Sequence, residues 1–240
     1  MSEEIGNFLD NLCDISENQF GDLTIYSGIW KNSDTKKIRI RITLAWSGWG
    51  KVSVSRATTR LISYSGKEKL DICFFTGVAG AAKKEINQWD IVIPEKLIQH
   101  DMDARPLFKR YEIPGLNKKI LFPSKLWIEW CKNSISNAIL SKKLKKFQNI
   151  HTGLIATGDS FISDESILKI LKKDLPDLEA VEMEGAAFAQ VACQEKIPWL
   201  VIRVISDNAD GSAAQNFNDF LNEYKYHSNY LLKELINNIS

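Results

Sequence analysis

Two short acidic segments carry the residues best suited to chemistry. Val181-Glu182-Met183-Glu184-Gly185 sets two carboxylates around an apolar residue at the end of a predicted strand. The stretch that follows, Ala186 to Cys193, is too apolar for a solvent-facing helix. Carboxylates held against a buried helix are costly unless they are paired or hydrogen-bonded to a ligand. The competing reading is a helix cap by Glu184 with Glu182 in solvent. Arg203-Val204-Ile205-Ser206-Asp207 ends a second apolar run. A cation inside such a run is rarely left unpaired, and a partner in Glu182 or Glu184 on a neighbouring strand would satisfy both charges. Asp207 then stands where a general acid would, or else serves as the turn residue that Asp-Asn-Ala-Asp-Gly commonly supplies.

Other segments narrow the chemistry. Thr76-Gly77-Val78-Ala79-Gly80 allows close backbone approach to a ligand after a strand, but it lacks the Gly-x-Gly-x-x-Gly spacing, and no Gly-x-x-x-x-Gly-Lys-[Ser/Thr] occurs. A dinucleotide site and a P-loop are thereby disfavoured. His100 and His151 have no Ser or Cys partner set in a triad motif and read as structural or solvent-facing.

These residues need elements to position them. Leu23–Trp30 and Lys37–Trp46 read as a hairpin turning through Asn32-Ser33-Asp34. A helix is expected over 51–65, a strand over 70–76 closed by the glycine-rich turn at Gly77, and a strand over 89–98. An irregular excursion from His100 to Pro123 follows, of a length that is uncommon in compact domains and tends to be functional. Then come a helix over 124–140, a strand over 150–156, a helix over 164–173, a strand over 179–183, a helix over 185–195, a strand over 199–206 and a final helix from Asn216 towards Ile239. Strands alternating with helices predict an α/β protein with a mostly parallel or mixed sheet. Ligands of such sheets sit at the carboxyl ends of the strands, which is where Gly, Ser, Asp and Glu collect in this chain.

Composition sets the outer bounds. The chain has 240 residues, with 31 Lys and Arg against 30 Asp and Glu, so there is no electrostatic case for nucleic acid or an anionic membrane. That length buries enough surface to fold without disulfides or metals. No apolar run spans a bilayer, and the acids after Met1 do not suit a secretory signal. Cys13, Cys73, Cys131 and Cys193 are widely spaced and read as reduced, buried thiols in a cytoplasmic protein, without a zinc site. No linker divides the chain, so residues 1–240 are taken as one domain.

The motifs taken together and in order resemble the purine nucleoside phosphorylase/nucleosidase superfamily, and within it the 5′-methylthioadenosine/S-adenosylhomocysteine nucleosidases. The segments that carry the resemblance are Ser47-Gly-Trp-Gly-Lys51, Thr76-Gly-Val-Ala-Gly80, Gln99-His-Asp-Met-Asp103, Thr157-Gly-Asp-Ser-Phe-Ile162, Val181-Glu-Met-Glu-Gly185 and Arg203-Val-Ile-Ser-Asp207. The resemblance implies a three-layer α-β-α fold with a central twisted mixed sheet. It implies hydrolysis of an adenine nucleoside bearing a 5′-thio substituent, in a cytoplasmic homodimer serving methionine salvage, with no cofactor, metal, nucleic acid or membrane.

By the same resemblance, Asp207 protonates the purine at N7 and Ser206 orients it. Glu184 binds the ribose hydroxyls beside Glu182, Met183 packs on the sugar, and Arg203 steadies the carboxylates and the attacking water. Phe161 and the backbone of Ile162 hold adenine, and Val78, Ala79 and Gly80 line the purine and sugar. Glu4 matches the glutamate that activates water. The family's first strand, which precedes those acids, is expected to be missing before residue 1. Val78 stands where such enzymes commonly carry Ser, which removes one sugar-side hydrogen bond. Phe108 and Tyr111, in the excursion, are candidates for reaching a partner subunit's pocket, with local packing as the alternative. Charge separation across an N-glycosidic bond suits this set: a buried carboxylate meets the cationic sugar and a carboxylic acid meets the base. Phosphorolysis on the same fold, hydrolysis of another adenine nucleoside of futalosine type, and a non-catalytic nucleoside binder are the competing functions.

Overall fold

The structure is a computed structural model that describes residues 7–31, 39–65, 70–208 and 213–239, without the side chains of 213–216 and 218. Glu4 and the Asn32-Ser33-Asp34 turn lie outside the described residues.

A first sheet is antiparallel, with β1 (Leu12–Phe20), β2 (Leu23–Trp30) and β3 (Arg41–Ala45) in that order. The expected hairpin is the β2–β3 pair, in register from Ile25 opposite Ala45 to Ile29 opposite Arg41. Sequence pattern does not foreshadow β1. Only Leu12 of its nine residues is buried, so it carries no alternation for a pattern to show.

The second sheet is mixed and holds β4 (Cys73–Ala81), β5 (Ile91–Gln99), β6 (Ile150–Thr157), β7 (Leu178–Glu182) and β8 (Trp199–Asp207). Its order is β4-β7-β6-β5-β8, and β8 returns to pair with β4, so the sheet closes on itself. The pairs β4–β8, β5–β6 and β6–β7 are parallel, and β4–β7 and β5–β8 are antiparallel. β4 does not turn at Gly77 as expected. It runs on to Ala81 because parallel pairing with β8 continues through Gly77, Val78 and Ala79.

Five helices complete the described chain: α1 (Gly50–Tyr64), α2 (Lys125–Leu140), α3 (Glu165–Asp174), α4 (Gly185–Gln194) and α5 (Ala213–Asn237). Every position of β8 is buried, and alternate residues serve two cores. Val201 and Ile205 join Val92, Ile155 and the alanines of α4 on one side. Leu200, Ile202 and Val204 join Ile91, Ile93, α2 and α5 on the other. A strand buried on both faces reads as a continuous apolar run, which is why β8 is legible in the sequence and why Arg203 within it stands out. The 100–123 excursion holds only isolated bridges, Leu97 with Leu121 and Ile113 with Lys118. The thiols differ from expectation at one place: Cys73 and Cys131 are buried and Cys193 is half-buried, but Cys13 is exposed on the edge strand β1.

Candidate active site

Strands β6, β7 and β8 end together, and their last residues build the charged centre. Glu182, the last residue of β7, is buried at 8% exposure. Its Oε2 accepts the backbone N–H of Glu184 at 3.0 Å and of Gly185 at 2.7 Å. Its Oε1 accepts the hydroxyl of Thr157, the residue opposite it on β6. Thr157 Oγ1 in turn accepts the N–H of Ala186 at 2.8 Å. Glu182 and Thr157 therefore satisfy the open N–H groups at the start of α4. Glu184 holds the cap position but makes no side-chain cap bond. The cap that sequence reading offered to Glu184 belongs to Glu182, and Glu184 is released to face the cleft.

Arg203 is the cation that makes this arrangement affordable. Its side chain is 1% exposed, and Nη2 donates to Glu182 Oε2 and, at 3.3 Å, to Glu184 Oε2. Its Cζ lies over the Phe75 ring, 4.5 Å from the centroid. Burial raises the Glu184 pKa above the ordinary carboxylate value and the charge of Glu182 adds to that, while Arg203 and the Gly50 amide pull it down.

Asp207 ends β8 beside a bulge. Ala79 of β4 lies opposite Ile205 and Gly80 opposite Asp207, so Ser206 is an extra residue on β8. Bulges re-aim side chains next to functional sites. Here Ser206 Oγ donates to Asp207 Oδ2 at 2.6 Å, and both residues line the cleft. Asp207 is buried at 8% exposure, so it ends the strand as a cleft residue and not as a solvent turn.

The N-terminus of α1 closes the side of the cleft next to Glu184. Gly50 N–H donates to Glu184 Oε1 at 2.8 Å, and Lys51 N–H donates to Asp159 Oδ1 at 2.8 Å. A helix N-terminus favours such anions. Gly50 has φ +85°, a left-handed backbone that suits glycine. Lys51 Nζ reaches Asp101 at 2.7 Å and Asp159 at 3.8 Å, and Asp101 Oδ2 accepts the Asp159 N–H at 2.9 Å. This network ties α1 to the loop that bears Ser160, Phe161 and Ile162.

The result is a cleft beside the charged centre. It gathers Glu182, Met183, Glu184, Ser206, Asp207, Phe161, Ile162, Val78, Ala79 and Gly80, all expected from sequence. Arg203 stands behind it. Three aromatics missed by sequence reasoning complete the walls: Trp49, Phe75 and Phe217. Phe217, from α5, meets Trp49 at 6.1 Å and Phe161 at 6.0 Å, edge to face in both pairs. Trp49 lies inside Ser47-Gly-Trp-Gly-Lys51, so a large aromatic in a glycine-rich strand end was a usable signal. Phe217 lies far along the chain and had none.

The remaining candidates lie elsewhere. Tyr111 is 8% exposed and its hydroxyl donates to Asp174 Oδ2 at 3.0 Å, so its ring is committed within its own chain. Phe108 is 36% exposed. His100 packs on Gly158, where a Cβ would stand 2.2 Å from Nε2, and burial lowers its pKa. His151 Nε2 meets the buried Asp90 at 3.0 Å.

The cleft thus combines aromatic walls, a carboxylate after β7 and a second acid at the end of β8. Known proteins share this chain's sequence and fold. The family model described as "Phosphorylase superfamily" matches residues 1–237. The 5′-methylthioadenosine/S-adenosylhomocysteine nucleosidase of Anoxybacillus flavithermus is 31% identical over 241 residues, covering 100% of this chain and 96% of that protein. The solved nucleosidase of the same name from Neisseria meningitidis, in complex with methylthio-immucillin-A, superposes with a TM-score of 0.86 at 27% identity, covering 100% of this chain and 96% of that one. The futalosine hydrolase of Helicobacter pylori superposes with a TM-score of 0.84 at 29% identity, covering 100% of this chain and 95% of that one. With its motifs, its closed mixed sheet and its acid-lined cleft, the chain belongs to the phosphorylase superfamily and, within it, to the family of the 5′-methylthioadenosine/S-adenosylhomocysteine nucleosidases.

Proposed function

We propose that this protein hydrolyses the N-glycosidic bond of 5′-methylthioadenosine, S-adenosylhomocysteine or both, releasing adenine and the 5-thioribose product. The observation that carries this reading is the presence in one cleft of Glu184, at the start of α4, and Asp207, at the end of β8, with aromatic rings beside them. Asp207 delivers a proton to the purine as the bond breaks, and Ser206 holds that carboxyl through its hydroxyl. Glu184 binds the ribose hydroxyls and offsets the charge that grows on the sugar. Glu182 already accepts four donors, the Thr157 hydroxyl, the Glu184 and Gly185 N–H groups and Arg203, so its role is to position Arg203 and α4. Glu184 accepts two, the Gly50 N–H and Arg203, and keeps lone pairs for the ribose. Phe161, Trp49 and Phe217 enclose the base and its neighbours. Activation of water is assigned to Glu4 on the strength of the resemblance. Side chains meet both developing charges, so the mechanism calls on no cofactor.

The proposal extends to a homodimer. Leu107 and Phe122 on the excursion and Leu126 in the first turn of α2 are 85%, 63% and 75% exposed. A partner surface would remove these side chains from water. The same reading carries a cytoplasmic role in methionine salvage.

The test is adenine release in phosphate-free buffer from methylthioadenosine, adenosylhomocysteine and a futalosine-type nucleoside. Free 5-thioribose product without phosphate is the expected result. A strict requirement for phosphate with release of a ribose 1-phosphate would make the protein a phosphorylase. Turnover of the futalosine-type nucleoside alone would move the substrate class, and tight adenine binding without turnover of any would make it a binder.

A further inference from the structure

We propose that Phe75 is a positioning residue for Arg203, holding the guanidinium flat so that one edge reaches Glu182 and Glu184 together. The proposal rests on the reading of Glu184 as the sugar-binding carboxylate.

Arg203 sits on β8 between Gly77 of β4 and Val92 of β5, so no side chain stands across from it on the β4 side. Phe75, two residues earlier and on the same face, provides the surface over which the guanidinium lies, 4.5 Å from the ring centroid. Phe75 is itself backed by Phe188 of α4, with centroids 5.2 Å apart and planes 26° from parallel. The order is thus Phe188, Phe75, Arg203.

The donors of a guanidinium lie in its plane. A ring on its face attracts the cation without consuming a donor, and it leaves the Nη2 edge for the two glutamates. An acidic residue at position 75 would compete for that edge, and an aliphatic one would fill the space without fixing the tilt. Phe75 also lines the cleft, so it is more than core filling. The groups facing Glu184 are Arg203 on β8, Glu182 on β7 and the Gly50 amide of α1. A loosened Arg203 weakens the attraction that keeps Glu184 ionised.

The test compares Phe75→Leu and Phe75→Tyr with the parent in the full-length protein. The first readouts are kcat, KM and the pH profile with methylthioadenosine, alongside thermal unfolding. Phe75→Leu should lower kcat roughly tenfold, change KM much less, and move the acid limb of the profile to higher pH. Phe75→Tyr, which keeps the ring face, should recover most of the loss. The second readout needs no substrate: NMR of the Arg203 guanidinium should show slow rotation about Nε–Cζ in the parent and the Tyr variant, and faster rotation in the Leu variant. A folded Phe75→Leu with unchanged kcat and unchanged rotation overturns the proposal. Equal losses in both variants, with Arg203 rotation unaltered, overturn it too, because they mark Phe75 as packing alone. If the parent releases no adenine, the functional reading fails, and the rotation of Arg203 still decides the role of Phe75.

Discussion

Glu182 and Glu184 meet the same nitrogen of Arg203, yet the Glu182 carboxylate accepts four donors and is 2% exposed, whereas that of Glu184 accepts two and is 15% exposed. On the proposed mechanism, one residue of separation divides a structural acid from an acting one. The two should respond differently to the same isosteric change.

Glu182→Gln removes one of the two carboxylate partners of a fully buried cation and sets an amide NH2 group against either the Gly185 and Glu184 N–H donors or the Thr157 hydroxyl. Breaking a buried pair costs about 3–5 kcal/mol, which corresponds to a fall in Tm of roughly 10 °C for a chain of this size. Thermal unfolding by circular dichroism checks this. Glu184→Gln should leave Tm close to the parent value and lower kcat instead.

The raised pKa of Glu184 has a signed consequence. Burial, foremost, favours its neutral form in the folded state. Its contribution to stability is therefore fully present below the ordinary carboxylate value and is lost as pH rises through the raised value. On the proposed mechanism the active form is the anion, so kcat/KM should fall on the acid side at a pH above the ordinary carboxylate range. Glu184→Gln should lose that limb. A limb that persists unmoved in the variant would assign it to another group.

Asp207→Asn keeps the shape of the side chain and cannot deliver the proton. Adenine release should drop by about 10²–10⁴-fold, with adenine affinity by calorimetry changed far less. Ser206→Ala, which removes the 2.6 Å bond to the acid and the 3.3 Å contact with the Ala79 carbonyl, should cost roughly tenfold.

Asp159 joins the first turn of α1 to the loop of Phe161 through the Lys51 N–H, with its own N–H given to Asp101. Asp159→Ala removes a helix-end acceptor worth about 1 kcal/mol, so the fold should survive with a small loss in Tm. Trp49 and Phe161 would lose their shared anchor. KM should rise several-fold with kcat less affected, as steady-state kinetics would show.

Much of this architecture is legible in the sequence because it repeats locally. The apolar run of β8 and the alanines of α4 declare buried elements, and Arg203 and Asp207 are conspicuous against them. What is not legible depends on distance or on pairing. β1 hides because eight of its nine residues keep some contact with water. Gly77 and Gly80 resemble a turn in isolation and stay extended only because β8 pairs with them. Glu182 and Glu184 have the same chemistry in the same short motif, and only the direction of α4 decides which one caps it. Phe217 reaches the cleft from α5, where nothing in its neighbours marks it.

The extra residue at Ser206 makes the position of the acid a matter of counting. A strand advances about 3.3 Å per residue, so a chain lacking Ser206 would seat its carboxyl one step further back, directly after Ile205. Proton transfer tolerates no such gap, because donor and acceptor must lie within hydrogen-bond reach. Loss of the serine side chain and loss of the serine residue are therefore different events: one trims a hydrogen bond, and the other shifts the phase of the whole strand end against its substrate.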